Sequence, residues 1–340
     1  MNVWELLAKY NLQEHRKEQE RIANEVENGV AQQYRHLKFE DLDGSQLNWV
    51  DRTLPAVREG FESSQSAAAA FLLRYRGIAI ASQTGSVPPA RPTYVPVSRA
   101  VQGRISTRLG QHFLAPGFNE PNVAASLLAA GPGTVKRSMP APSKVVMGKA
   151  LRNVVGTAVR HSMDGGREVV ATEVDNDDLA IGFQRITDKD PCYFCALLAA
   201  NGPVYLSRSS FDEANNKFDP NAAFAATGEP DAIAKVHNHC RCTIVPVFEG
   251  FEGVDPWGKV ALSIWRTVRG KWSGQEAMNK YRLLYDDYKS SDPNVDSDIS
   301  AQAVRESIAT ALRNLQADDN APDDSAVGFL QAQARRLRAA

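Results

Sequence analysis

Cysteine is scarce in this sequence, with four in 340 residues. That excludes a small secreted scaffold stapled by many disulfides. Charge of one sign is also missing: 39 basic and 40 acidic side chains leave a formal net charge of −1 at pH 7. A protein whose main task is coating nucleic acid needs a broad basic face, so that class is excluded, local patches aside. There are no long apolar runs. The most apolar stretches, residues 67–73 and 197–200, are far too short to span a bilayer. The opening MNVWELLAKY has no basic segment followed by an apolar run, so no secretory signal is expected. These absences point to synthesis in a reducing cytoplasm and to no membrane partner. Catalytic signatures are absent as well: there is no H-E-x-x-H, P-loop, G-x-S-x-G or Rossmann glycine pattern, and no internal repeat.

The few cysteines that are present are concentrated. All fall in two tight pairs, Cys192-Tyr193-Phe194-Cys195 and His237-Asn238-His239-Cys240-Arg241-Cys242. Two chelating half-sites brought together by a fold make a closed tetrahedral site for Zn²⁺. Six candidate ligands compete for four places: Cys192, Cys195, His237, His239, Cys240 and Cys242. Cys192 and Cys195 form one half. In the other, His237 and Cys240 have an i, i+3 bite, Cys242 can replace either, and His239 can replace His237. The alternatives are reduced cysteines packed in a core and a disulfide between the pairs.

The first third reads as helix. Val3, Leu6, Leu7 and Tyr10 keep a 3–4 spacing, and Ile22 and Val26 resume it. A second long helix is expected from near Ser45 to about Arg76, with Pro55 kinking it or marking a late start. The Ser/Ala run at 63–70 suits close helix contact. Four prolines at 82–97 mark a linker, with helices expected at 97–115 and 120–130. Ser143 is a candidate N-cap for a helix that Gly165-Gly166 should break, with a short helix at about 167–174 beyond. Strands are expected at 179–186, 204–206 and 243–248, and Pro246 pushes the last towards a sheet edge. Cys192–Ala200 reads as a short helix. After Gly253, residues 257–288 read as one or two helices, followed by a polar linker and two more helices.

Other groups take simpler readings. Asp188-Lys189-Asp190 is expected to cap the helix after it, the alternative being a carboxylate near the metal. Pro191-Cys192-x-x-Cys195 matches half of a zinc deaminase signature, but His161 is followed by Ser162 and Met163, so the catalytic glutamate is missing. His15, His36 and His112 are expected at the surface. Trp257, Trp265, Arg266, Arg269, Lys271 and Trp272 interleave rings and cations. This pattern can stack on single-stranded nucleic acid, but helix packing accounts for it with less assumption.

Residues 182–188 (GFQRITD), Pro191 to Cys195, Gly202-Pro203-Val204-Tyr205 and His237 to Thr243 resemble the MuF-like minor head proteins of tailed bacteriophages, particularly those of actinobacteriophages. The order is a strand, a C-x-x-C, a G-x-x-[YF] turn and a terminal H-x-x-C-R-C. The helical part, with Trp4 to Leu7 and residues 46–77, is also similar, so the likeness covers roughly 1–250. The resemblance implies a virion component inside the capsid near the portal, made in the host cytoplasm. It implies portal and capsid shell proteins as partners, with packaged phage DNA as a further one.

The expected architecture is α+β. A helical region at 1–142 precedes a small mixed module at 143–250 closed by Zn²⁺, and a helical tail follows at 251–340. The expected function is structural, a minor capsid protein and not an enzyme. The rival is a zinc-dependent hydrolase or nuclease with an open metal position, which needs three protein ligands and a water.

Overall fold

The computed structural model describes residues 2–87, 117–177, 179–200, 202, 204–205, 240–248, 251, 255–292, 295–316 and 324–339. Three long helices dominate: α1 (Val3–Tyr34), α2 (Leu42–Thr84) and α5 (Ser143–Asn176). Two short ones, α3 (Glu120–Ala130) and α4 (Pro132–Ser138), precede α5. Strand β1 (Ala180–Ile186), helix α6 (Tyr193–Ala199) and strands β2 (Val204–Tyr205) and β3 (Thr243–Phe248) follow. Helices α7 (Pro256–Arg269), α8 (Gly274–Ser291), α9 (Ala301–Gln316) and α10 (Asp324–Ala339) complete the described chain. A mostly helical chain with one small antiparallel sheet is an α+β arrangement. The expected helix at 97–115 lies outside the described residues.

Local chemistry sets the helix ends. Asn2 caps α1 by accepting from Glu5 N–H at 2.8 Å, and Asp41 caps α2 by accepting from Gly44 N–H at 3.0 Å. Helix α2 stops at Gly85, whose φ of 70° only glycine adopts easily. It runs unbroken through Pro55 over 43 residues, roughly 64 Å at 1.5 Å per residue. Ser143 is the first helical residue of α5, not its cap; Pro142 takes the cap position and offers no side-chain acceptor.

Gly165-Gly166 does not break α5, which continues to Asn176. The reason is packing. A Cβ at Gly165 would lie 2.2 Å from the Phe61 carbonyl oxygen of α2, and one at Gly166 would lie 2.7 Å from Ser64 Oγ. The glycines let two helices approach where the Ser/Ala run of α2 offers only small side chains. Hydrogen bonds join them there. Ser64 Oγ donates to Gln19 Oε1 of α1 at 2.8 Å and accepts from Gly166 N–H at 3.1 Å, while Ser162 Oγ donates to Val57 O.

This polar waist separates two apolar cores. On one side Ile22, Val26, Val30, Trp49, Val57, Leu127, Val154 and Val159 pack together. On the other, Leu7, Phe71, Ile78 and Val170 pack with the sheet residues Phe183, Ile186, Ile244 and Phe248. Hence α2 and α5 run in one direction and α1 in the other. Helices α9 and α10 close the sheet-side core through Val304, Ile308, Leu330 and Leu337. Helix α5, which opens the expected mixed module, is therefore also the third helix of the bundle.

The sheet has the order β2-β1-β3, antiparallel throughout. Pro246 pairs with Phe183 on β3, an edge strand, where a missing N–H is tolerated. His15 corrects the surface expectation: it is 3% exposed and stacked on Phe71, with ring centroids 4.4 Å apart. His36 is half-buried, and His112 lies outside the described residues.

Candidate metal centre

The chain from β1 turns at residues 187–191 and enters α6, delivering Cys192 and Cys195. The other pair arrives on the segment entering β3. The fold brings the two together: the sulfurs of Cys195, Cys240 and Cys242 all lie within 4.8 Å of one another, and all three side chains are buried. Cys195 and Cys240 are 3.6 Å apart, sulfur to sulfur. Four sulfurs bound at about 2.3 Å to a tetrahedral ion sit about 3.8 Å apart, so this spacing fits. It is far from a disulfide bond of about 2.05 Å, and all four cysteines are free thiols.

Cys192 is the N-cap of α6, its sulfur accepting the Cys195 N–H at 3.4 Å. That geometry folds a C-x-x-C into a chelate, because the cap and the third helical residue share one side of the first turn. Cys192 is half-buried and its side chain is hydrogen-bonded to that of Cys195, but its sulfur is not among the three that lie within 4.8 Å of one another. His237 and His239 lie outside the described residues. The donor set that is described is all sulfur, which suits a thiophilic ion such as Zn²⁺.

Electrostatics favour a thiolate there. Hydrogen bonds from Cys195 and Cys242, supported by the Arg167 and Arg185 guanidiniums, hold the Cys240 thiol well below its ordinary range. Its hydrogen bond to Cys192, then that to Cys240, push the Cys195 thiol up. Asp188 is raised to about 6 by burial and by the charge of Cys240 and Cys192. It does not cap α6; its Oδ1 accepts from Asp190 N–H at 3.1 Å, and the cap is Cys192.

Arg167 of α5 holds the second cysteine segment in place. It donates to Cys242 O from Nε at 3.1 Å and from Nη2 at 2.8 Å, and to Cys240 O at 3.1 Å, while Nη1 pairs with Asp164 at 2.7 Å. It is 1% exposed. Sequence reasoning passed over it, yet a signal was there: a charged residue at the apolar phase of a helix, in step with Met163, Val170 and Val174.

The C-terminal helices grip the first cysteine segment. Tyr281 donates to Tyr193 O at 3.0 Å, Tyr285 to Pro191 O at 3.1 Å, Lys289 to Pro191 O at 2.9 Å and Trp257 to Lys189 O at 3.1 Å. Asp255 caps α7 through Gly258 N–H at 2.7 Å, accepts Thr187 N–H at 2.7 Å and pairs with Arg16 of α1 at 3.6 Å. One buried carboxylate thus joins α1, the end of β1 and α7. Trp257 packs against Ala196 and Leu197 of α6, so the expected helical tail is part of the wall around the cysteines.

No helix among the described residues is long and apolar enough to cross a membrane. A family model described as "VG15 protein" matches residues 7–258, a span that includes every cysteine and stops at the start of α7. No curated protein and no solved structure matches the chain.

Proposed function

From the premise that this chain belongs to the VG15 protein family, a phage-type virion-gene family, we propose that it is a structural minor capsid protein of the MuF-like kind. It acts inside the head near the portal and aids procapsid assembly, with portal and shell proteins as partners. The cysteine cluster serves shape. Cys192, Cys195, Cys240 and Cys242 would hold one Zn²⁺, which when bound supplies a cross-link between the start of α6 and the start of β3. A sheet of three short strands buries little on its own, and a structural ion offsets that deficit.

The observation that carries this reading is the buried sulfur cluster: the sulfurs of Cys195, Cys240 and Cys242 lie within 4.8 Å of one another, and Cys192, hydrogen-bonded to Cys195, is the candidate for the fourth place. The test is metal analysis of the purified protein, with incorporation into procapsids scored for wild type and Cys195→Ser. The expected results are one ion per chain, and loss of both metal and incorporation in the variant. Equal metal in the two proteins overturns the assignment.

A second reading, a metal-dependent hydrolase or nuclease, has one observation in its favour. Asp188, with its raised pKa, stands beside the cluster and lines a charged cleft with Arg16, Lys17, Glu20, Lys189 and Arg241. It would serve as the base. X-ray absorption of the zinc-loaded protein separates the two: four sulfur neighbours support the structural role, and three with an oxygen support the enzyme.

A further inference from the structure

Helices α7 and α8 carry a charge imbalance that the chain as a whole lacks. Between residues 259 and 282 stand six cations, Lys259, Arg266, Arg269, Lys271, Lys280 and Arg282, against one carboxylate, Glu276. All seven side chains are exposed. This stretch begins where the family match ends, so it is a property of this chain beyond the matched region.

The cations are displayed, not neutralised. Lys259, Arg266 and Arg269 share one face of α7 by their 3–4 spacing. Arg266, Arg269 and Trp265 line an open groove against Leu197 of α6. Arg269 lies 5.9 Å from the Trp265 ring centre, and Lys271 and Lys280 lie 5.9 and 5.8 Å from that of Trp272. Both rings are half-buried in the hairpin's own core, so they act as platforms for cations, not for bases. Arg282 pairs with Asp286. Arg266, Arg269, Lys271 and Lys280 meet no carboxylate within 4 Å among the described residues.

Four cations held together without counter-charges repel one another, and a polyanion relieves that repulsion. Nucleic acid is the densest one, with a charge about every 1.7 Å of duplex, and guanidinium forks fit phosphate in two-pronged fashion. We infer that the α7–α8 hairpin binds the phosphodiester backbone of DNA without reading sequence. This goes beyond the capsid-assembly role and does not depend on the metal.

The test is fluorescence anisotropy of the full chain with a short labelled duplex of mixed sequence, a single strand of equal length, and polyglutamate as competitor, over a salt series. Four phosphate contacts predict a slope of log K against log salt of about −3.6. Replacing Arg266, Arg269, Lys271 and Lys280 by Gln should weaken duplex binding at least about tenfold at low salt and flatten that slope. Glu276→Gln should tighten it. Circular dichroism checks the fold; if the quadruple variant is unfolded, Arg266→Gln with Arg269→Gln, which spares the cations on Trp272, takes its place with half the change in slope. Absence of duplex binding at low salt, or unchanged binding in the folded variant, overturns the inference. Tighter binding of the single strand shows base stacking and overturns backbone contact. Equal binding of polyglutamate assigns the surface to an acidic protein instead.

Discussion

The two ends of the long-helix bundle are held by different forces. At one end Trp49, Val57, Leu127 and Val154 are almost fully buried, and hydrocarbon does the holding. Each such side chain contributes about 1.5–3 kcal/mol on burial. At the other end the sheet is short, and thiols, two buried arginines, a buried carboxylate and four donors from Tyr281, Tyr285, Lys289 and Trp257 do much of the work. The difference teaches where this protein is conditional. The hydrocarbon end is stable by its own packing, while the sheet end depends on satisfied polar groups, which fail abruptly when one partner is removed, and, on the proposed reading, on an ion held by the cysteines.

The sharpest way to break that comparison is to remove the metal. A chelator, or Cys195→Ser with Cys240→Ser, should abolish metal content and the near-ultraviolet signal of the sheet end, while most of the helical far-ultraviolet signal remains. Structural zinc binding is worth on the order of 10 kcal/mol, so proteolysis should then cut first around the cysteine segments. Cuts appearing first in α3 or α4 would contradict the division.

Next in size is Arg167→Met. It keeps the apolar stem but leaves the Cys240 and Cys242 carbonyls without their donor and Asp164 without its partner. A loss of about 3 kcal/mol is expected, with metal affinity falling about tenfold or more. Denaturant unfolding and a competitive zinc titration measure the two. Unchanged affinity would mean that the cysteine segment is held by other means.

Gly165→Ala tests the join between the ends. The helix propensity of alanine favours the change by about 1 kcal/mol, but the added Cβ meets the Phe61 carbonyl oxygen at 2.2 Å. Overpacking should win, with a net loss of about 1–3 kcal/mol. A more stable variant would show that α2 and α5 can part without cost.

The most gradual effect is one of pH. Burial, with Arg74 and Arg16 nearby, lowers the His15 pKa from 6.5 to about 3. Between those values the unfolded chain binds a proton that the native chain refuses. Stability is therefore complete above about pH 6.5 and falls as the pH drops towards 3, by up to about 1.4 kcal/mol per unit. His15→Phe should remove this part of the acid sensitivity. Unfolding midpoints at pH 7 and pH 5 decide it, since metal loss acts on both proteins alike. Equal slopes would exclude His15 as the source.

Much of this was legible in the sequence, for physical reasons. The helix and strand periods of α1, β1 and β3 are local, and so is the C-x-x-C chelate of α6. The approach of Cys195 to Cys240 was readable only as chemistry, because thiols in two pairs have few other uses in a reducing compartment. What failed was long-range. Gly165-Gly166 looks like a helix break by propensity, and only the contact with Phe61 and Ser64 explains why the helix continues. His15 sits among charged neighbours in sequence but faces Phe71 across the bundle. Arg167 could be seen as a charge on the apolar face of its helix, yet the carbonyls it holds stand more than 70 residues away.

The contact of Gln19, Ser64 and Gly166 has one more consequence. A slide of any of the three rods by a single turn, about 5.4 Å, would carry an amide or a hydroxyl into hydrocarbon and leave it without a mate. The rods are thereby locked lengthwise, like bars pinned at one hole. The separation of the two apolar cores is then fixed at this waist, and neither end can shift along the bundle without breaking it.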